Sequence, residues 1–205
     1  MTVSTMRCCR KLAELLIALA LCMGVLAGGA AQAGEIELRN IELTVTDDGG
    51  TALAADLAFD FSARLEEAVG KGLTLHFVAE FELTRPRWYW FDEKVVQARH
   101  TWRLTYHALT RQYRLSTGVL HQSFSSLDEA LRVLARIRHW QVAERERLTP
   151  GETLEAALRV RLDISQLPKP FQVEALANKD WLLASDWKRW TYTVPRGAAS
   201  SEEAK

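Results

Sequence analysis

Apolar and polar residues alternate over three long stretches of this chain, which is the pattern of β-strands that bury one face. The three apolar sets are Leu53, Ala55, Leu57, Phe59 and Phe61; Leu73, Leu75, Phe77, Ala79, Phe81 and Leu83; and Leu154, Ala156, Leu158, Val160, Leu162 and Ile164. The positions between them carry charges such as Asp56, Asp60, Arg159 and Arg161. The strands are therefore predicted to form antiparallel sheets, because strands of a parallel sheet are apolar on both faces.

The first predicted strand changes phase near its middle. Its apolar residues stand at even positions up to Leu38 and at odd positions from Ile41 onward. A β-bulge near Arg39 and Asn40 explains the shift, because it inserts one extra residue into a strand. The Asp-Asp-Gly-Gly sequence at 47–50 tolerates positive φ. It therefore predicts a tight turn that joins this strand to the next one in a hairpin.

A second phase change follows Leu83, where Arg85-Pro86-Arg87 precedes tryptophans at even positions. Proline cannot donate to a strand ladder, so this segment is predicted to be a bulge or an edge. If the chain turns at 92–94 and pairs back, even positions face even positions. Trp88 and Trp90 then share a side with Ala98, Trp102, Leu104 and Tyr106, whereas Arg87, Tyr89 and Phe91 point to the other side.

Two helices are predicted between the strands. A short helix covers 62–69 and is closed by Gly70 or Gly72. A longer helix covers about 127–139, because Ser126 and Glu129 form a capping box ahead of a one-sided apolar stripe. The stripe consists of Leu127, Ala130, Leu131, Leu134 and Ile137. The segment 167–170, which contains two prolines, is predicted to be extended.

These elements predict one mainly β domain over residues 34–195. We expect an antiparallel β-sandwich-like fold with one longer and one short α-helix packed on it. Residues 196–205 are small and charged, and they are predicted to form a disordered tail.

The first 33 residues have the three-part layout of a secretory signal peptide. Arg7, Arg10 and Lys11 precede the apolar run Leu15–Ala27, and a small-residue cleavage site ends at Ala33. We expect cleavage after Ala33 and a periplasmic location. An uncleaved signal that anchors the chain in the inner membrane is the alternative, although its 13 apolar residues fall short of the roughly 20 that a spanning helix needs.

The residue types that carry most catalytic chemistry are scarce after this leader. All three cysteines, Cys8, Cys9 and Cys22, lie within it, so the exported chain has no thiol for disulfides, metal binding or nucleophilic attack. The sequence has no glycine-rich phosphate loop, nucleophile elbow or zinc-binding helix motif. Glu80 and Glu82 form a possible carboxylate pair, but alternating glutamates are typical of a solvated strand face. We expect no catalytic residue, no metal site and no cofactor.

Charge is unevenly distributed along the chain. Residues 35–84 carry 11 acidic and 3 basic side chains, whereas residues 85–114 carry 7 basic and 2 acidic ones. Acidic and basic strands that lie side by side and pair across their solvated face explain this pattern. A basic face for an anionic partner in the cell envelope is the alternative interpretation, and nucleic acid is not expected there.

Tryptophan occurs together with arginine and lysine in two segments. The candidate binding residues are Arg85, Arg87, Trp88, Tyr89, Trp90, Phe91, Trp181, Trp187, Arg189 and Trp190. Aromatic and cationic groups together suit sugar stacking, cation-π contacts or a protein interface. The alternative is that the rings fill the open ends of the sandwich core, because tryptophan is usually largely buried.

Four segments together resemble an uncharacterised proteobacterial family of exported proteins, domain of unknown function 4390. They are Arg85–Trp90, Leu104–Tyr113, Phe124–Leu131 and Leu162–Pro170, and the resemblance continues through Asp180-Trp181 to Trp190. It implies no activity. Members of this family are often encoded beside a membrane sensor histidine kinase, which implies a periplasmic partner for that kinase.

These observations predict a non-catalytic periplasmic interaction module with a protein partner. The 85–91 segment is its predicted binding element, because an unpaired edge marked by proline can accept a strand from another chain. A binder of glycans or anionic lipids in the envelope is the alternative function. Hydrolase activity is a more distant one.

Overall fold

The computed structural model describes residues 35–87, 89 and 92–196. The predicted signal peptide lies outside the described residues, as does the predicted tail beyond Arg196.

Strands dominate the described part of the chain and form two antiparallel sheets. They are β1 (Ile36–Val45), β2 (Thr51–Phe59), β3 (Leu75–Arg85), β4 (Glu93–His107), β5 (Gln112–Thr117), β6 (Leu120–Phe124), β7 (Arg136–Ala143), β8 (Thr153–Leu162) and β9 (Lys188–Thr193). The small sheet has the order β1-β2-β7, and the large sheet has the order β6-β5-β4-β3-β8-β9. This sandwich-like arrangement confirms the predicted mainly β fold.

The core lies where the alternating apolar positions of the strands meet. Phe77, Phe81 and Leu158 of the large sheet are buried, as are Leu53 and Ala55 of the small one. Each of the three apolar sets lies mainly in one observed strand, β2, β3 or β8. The polar positions between them face solvent more often, so period-two alternation identified the buried faces correctly.

The hairpin of β1 and β2 has the predicted bulge and turn. The strand register shifts between Arg39 and Glu42, and Asn40 has a φ of 46°. In the turn, Gly49 has a φ of 80° and so adopts a conformation that favours glycine. Both features were predicted from the local sequence.

The structure contains three helices in its described residues: α1 (Ala63–Gly70), α2 (Leu127–Leu134) and α3 (Lys169–Ala177). The predicted caps are present, since the Ser62 hydroxyl accepts from the N–H of Leu65 and the Ser126 hydroxyl accepts from the N–H of Glu129. None of these helices is long or apolar enough to cross a membrane.

The predicted longer helix ends at Leu134, five residues early, and is no longer than α1. The residues that follow form β7, which pairs with β2 and buries Ile137 and Trp140. His139 has a φ of 49°, which an α-helix does not tolerate. Pairing with β2 overrides the helical stripe here, because it completes the small sheet and buries the same apolar side chains.

Helix α3 replaces the extended connection predicted around its start. It begins at Lys169, and Pro170 stands in its first turn, where the missing N–H costs no intrahelical hydrogen bond. Val173 and Leu176 of this helix are exposed. The apolar residues of α3 are therefore spread around the helix and do not form one buried stripe. Such a stripe is the pattern from which a helix is predicted, and it is missing here.

The turn between β3 and β4 differs from the prediction. Strand β3 extends to Arg85, which pairs with Glu93 at the start of β4, and we call the connection between these two residues the β3–β4 loop. The predicted turn at 92–94 is wrong, because Glu93 and Lys94 belong to β4 and pair with Arg85 and Thr84. The strand register shifts between Leu83 and Thr84, which agrees with the bulge, one of the two predicted alternatives. The predicted unpaired edge does not include Arg85, since β3 has β4 on one side and β8 on the other. The predicted core face of β4 is confirmed by the burial of Trp102 and Leu104.

His100 of β4 packs between tryptophan rings, with ring centroids 4.4 Å from Trp102 and 5.5 Å from Trp140. Burial lowers the pKa of His100 below its ordinary value. The unfolded chain therefore binds a proton here at a higher pH than the folded chain does.

We expect the stability of the wild-type protein to fall as pH decreases below the ordinary histidine pKa of about 6.5. Replacing His100 by phenylalanine should reduce this pH dependence. Urea unfolding of both proteins across this range measures the effect. Unfolding at about pH 8, where imidazole is neutral in both states, reports the change in packing alone. An equal pH dependence of the two proteins would contradict the prediction.

Candidate functional site

Those predicted binding residues that the structure describes occupy three places in the fold. Arg85, Arg87 and Tyr89 lie at the β3–β4 loop, and Trp187, Arg189 and Trp190 lie on or just before β9. Trp181 lies in a 3-10 turn after α3. Trp88, Trp90 and Phe91 lie outside the described residues.

Ion pairs hold the two ends of the β3–β4 loop together. The Arg85 guanidinium contacts Glu93 at 2.8 Å and also binds Glu152, the residue before β8. Arg87 pairs with Glu93 as well, and its backbone N–H donates to Asp92 at 3.2 Å. Hydrogen bonds from Arg85 lower the pKa of both Glu93 and Glu152. The ends of the loop are therefore fixed by charged contacts to two strands.

Tyr89 lies between these fixed ends and is 70% exposed. Such exposure is unusual for so large an aromatic side chain, which normally buries most of its area in a core or an interface. The structure thus presents an accessible ring on a loop with a fixed base.

Strand β9 forms one edge of the large sheet and pairs only with β8 among the described strands. Thr84 pairs with Glu155, and Glu155 pairs with Thr191, so only β8 separates the end of β3 from β9. Lys188 and Arg189 are exposed. We define the loop–edge surface as Arg87, Tyr89 and Asp92 of the loop together with β9.

Trp190 belongs to β9, but its ring packs toward the core. Its ring centroid lies 6.3 Å from that of Phe81. Arg189, the residue before it, points to the outer face and approaches Glu155 at 3.4 Å. Trp187 is half-buried, and the guanidinium of Arg159 lies 6.0 Å from its ring centroid.

Trp181 is a core residue in this fold. It is 1% exposed, and its ring centroid lies 5.4 Å from that of Phe171 on α3. Its position matches the interpretation that large rings fill an open end of the core. Stacking of a sugar on this ring is excluded in this conformation, because the ring has no accessible face.

A groove of about 770 Å³ lies beside Trp181, between α1 and α3. Its charged groups neutralise one another within the groove. Arg64 pairs with Glu174 and Asp180, and Lys71 pairs with Glu67. The groove therefore offers little unpaired charge with which to select a charged ligand.

Glu80 and Glu82, the possible carboxylate pair, are engaged in ion pairs across the solvated face of the large sheet. Glu80 lies 3.0 Å from Arg99 of β4 and 3.1 Å from Arg161 of β8, and Glu82 lies 2.8 Å from Lys94. The acidic strand β3 is thus flanked by basic partners. This confirms the prediction that acidic and basic strands lie side by side.

The residues that fix the loop were not predicted from the sequence, namely Asp92, Glu93 and Glu152. Two acidic residues close after Arg85 and Arg87 were a usable signal for the first two. Glu152 had no such signal, because only the pairing of β3 with β8 brings it to Arg85.

A family model described as a domain of unknown function, DUF4390, matches residues 33–191 of the chain. Neither a curated protein nor a solved structure matches it.

Proposed function

Since this chain belongs to the DUF4390 family, whose description assigns no activity, we propose from its geometry that it is a non-catalytic interaction module of the periplasm. It binds another protein through the loop–edge surface. The observation that carries this proposal is the 70% exposure of Tyr89 on a loop with a fixed base.

The fixed base lowers the entropic cost of binding. Arg85 and Arg87 are already held by Glu93 and Glu152 in the unbound protein, so the two ends of the loop lose little freedom when a partner docks. Tyrosine is enriched among the residues that dominate binding energies, because it buries a large area with few rotatable bonds.

Strand β9 offers a second element of the same surface. Its outer edge has no strand partner among the described residues, so its backbone groups can pair with an extended segment of another protein. Lys188 is exposed and forms no ion pair with a described residue. The segment that fits this edge therefore carries acidic side chains. The charge of Lys188 also disfavours pairing of β9 with an uncharged strand.

The envelope location is supported by the signal-peptide pattern of residues 1–33 and by the lack of cysteine after Cys22. The partner that fits this location is the membrane sensor histidine kinase implied by the family resemblance. Its periplasmic part would supply the acidic segment.

Photo-crosslinking in living cells tests this proposal. A photoreactive amino acid replaces Tyr89 in one variant and Leu109 in a matched control. Leu109 is likewise an exposed hydrophobic residue next to β4, but it lies in the β4–β5 turn at the other end of that strand. We expect position 89 to yield an adduct that mass spectrometry identifies as the sensor kinase, and position 109 to yield none.

An adduct of equal yield at both positions, or none at position 89, would refute the proposed site. A double substitution, Arg87→Ala with Tyr89→Ala, provides an independent measurement. It should lower recovery of the kinase from mildly crosslinked membranes while leaving the thermal midpoint nearly unchanged, because both side chains are exposed. Loss of folding would instead assign these residues a structural role.

A further inference from the structure

The basic segment 85–114 divides into two groups in the structure. Four of its seven basic residues form ion pairs with carboxylates: Arg85, Arg87, Lys94 and Arg99. The other three, Arg103, Arg111 and Arg114, form no ion pair with any described residue. The unpaired charge of this segment is therefore concentrated on the second half of β4 and on β5.

Arg103 and Arg114 project from the same face of the large sheet. Arg103 is opposite Ser116, and Thr105 is opposite Arg114, so the two arginines are diagonal neighbours on adjacent strands. Ser116 is in turn opposite His121 of β6. The other face of these strands is apolar and packs into the core, as the burial of Trp102, Leu104 and Leu115 shows.

These side chains line a groove of about 300 Å³ on the outer face of the sheet. The polar residues that line it include Thr74, Arg103, Thr105, Arg114, Ser116 and His121. None of its lining residues is acidic. The groove therefore combines two guanidinium groups with hydroxyl and imidazole donors and contains no carboxylate to neutralise them.

Two observations indicate that these charges lack a partner among the residues that the structure describes. The Nε atom of Arg114 is buried and has no hydrogen-bond acceptor among the described residues. Buried side-chain donors are paired in most folded proteins. Burial first, and then the positive charge of Arg103, lowers the pKa of the neighbouring His76. The negative charge of Asp163 opposes this effect on the pKa of His76 without reversing it.

We propose that this groove is an oxyanion site that binds a phosphate group. Arginine donates two parallel N–H groups to phosphate oxygens, and two diagonal guanidinium groups can hold one phosphate between them. The hydroxyl of Ser116 lies on the same face and supplies a further donor, whereas the hydroxyl of Thr105 donates to that of Thr74 at 3.1 Å. The Arg114 Nε then gains an acceptor.

The apolar residues at the rim of the groove help to decide whether the phosphate belongs to a lipid headgroup or to a small soluble ester. Val119 is 95% exposed and Leu120 is 74% exposed, and both line the groove at the β5–β6 turn. Exposed apolar residues beside cationic ones suit a lipid headgroup, because the apolar side chains can enter the acyl boundary while the cations bind phosphate. A small phosphate ester in solution presents the same group without the acyl chains.

Calorimetric titration of the purified protein with inorganic phosphate tests the site. Arg114→Gln and Arg103→Gln should each weaken binding at least about tenfold, since a charge-assisted hydrogen bond contributes on that order. Arg111→Gln is the matched control, because it removes an equal, unpaired charge from the β4–β5 turn outside the groove. It should change the affinity less than about twofold, as expected for a screened exposed charge.

Absence of phosphate binding at millimolar concentrations, or an equal effect of all three substitutions, would overturn the proposal. Circular dichroism shows whether Arg114→Gln folds. If it does not, Arg103→Gln still tests the site, because Arg103 is exposed. Arg103→Lys keeps the charge but loses the bidentate geometry, so intermediate binding is expected. Binding that is unchanged in Arg103→Gln would also overturn the proposal.

Vesicle sedimentation separates the two sources. Vesicles that contain phosphatidylglycerol are compared with vesicles of phosphatidylcholine alone. If the ligand is a lipid headgroup, the protein sediments with the anionic vesicles, and both Arg114→Gln and the double substitution Val119→Ser with Leu120→Ser release it. If only inorganic phosphate binds, the site takes a soluble phosphate ester. If Arg111→Gln lowers sedimentation as much as Arg114→Gln does, the attraction to the vesicles is unspecific. That result would contradict the site.

Discussion

Replacing Phe81 by alanine is expected to lower the free energy of unfolding by about 3–5 kcal/mol. Phe81 is completely buried in the middle of β3, a strand of the large sheet that is paired on both sides. Its ring contacts Trp140 of the small sheet at 6.4 Å and Trp190 of β9 at 6.3 Å between ring centroids. The substitution removes a ring that joins both sheets, and the surrounding strands cannot close the cavity without breaking their ladders.

Urea denaturation followed by tryptophan fluorescence measures this loss. Val119→Ala is a suitable control, because Val119 is almost fully exposed, and its unfolding free energy should change by no more than about 0.5 kcal/mol. Phe81→Leu keeps most of the apolar volume and should fall between the two. A loss below about 1 kcal/mol for Phe81→Ala would mean that the ring does not connect the sheets.

Replacing Trp181 by alanine should also lower the free energy of unfolding by about 3–5 kcal/mol. Trp181 is 1% exposed and packs on Phe171, so its removal leaves a large cavity between α3 and the core. Its indole Nε1 is buried and has no hydrogen-bond acceptor among the described residues. Trp181→Phe therefore keeps the ring contact, loses no hydrogen bond, and should be much less destabilising.

The Trp181 variants also distinguish a structural residue from a binding residue. Trp181→Ala should show a lower midpoint of chemical unfolding, whereas Tyr89→Ala should change stability by no more than about 0.5 kcal/mol. Crosslinking to the partner should show the reverse order under conditions in which both variants are folded. A Trp181→Ala variant that kept full stability and lost the partner would place Trp181 at the interface and contradict its assignment to the core.

The two proposed sites lie toward opposite edges of one sheet. The loop–edge surface includes β9, the last strand in the order, and the phosphate groove lies over β4, β5 and β6 at the other side. Their separation makes the two proposals independent. Tyr89→Ala should leave phosphate binding unchanged, and Arg114→Gln should leave the kinase adduct at position 89 unchanged.

Much of the fold is encoded in short-range patterns that are visible in the sequence. The period-two alternation located β2, β3 and β8, because one face of each strand must be apolar. The bulge at Asn40 and the cap at Ser126 were equally accessible, since each depends on only a few neighbouring residues. The opposite charges of neighbouring segments also predicted the ion pairs between β3 and its neighbours.

The candidate sites depended on contacts between distant parts of the chain. Trp181 and Tyr89 both lie in segments rich in aromatic and cationic residues, so the sequence does not distinguish them. The packing of α3 buries the ring of Trp181, whereas the loop exposes the ring of Tyr89. Similarly, seven basic residues between 85 and 114 looked equivalent in the sequence. Strand register and the β3–β4 loop gave four of them a carboxylate partner, and register left Arg103 and Arg114 together on an open face.

Sequence alone thus determined that the chain forms an antiparallel β fold, which faces of its main strands are buried, and where its first two helices begin. Tertiary structure decided that 136–143 is a strand, that Arg85 and Glu93 pair between two central strands, and that β9 is the last strand of the large sheet among the described residues. The physical reason is that alternation and capping act within a few residues. Which strand lies at an edge and which charge finds a partner depend on pairings between segments far apart in the chain.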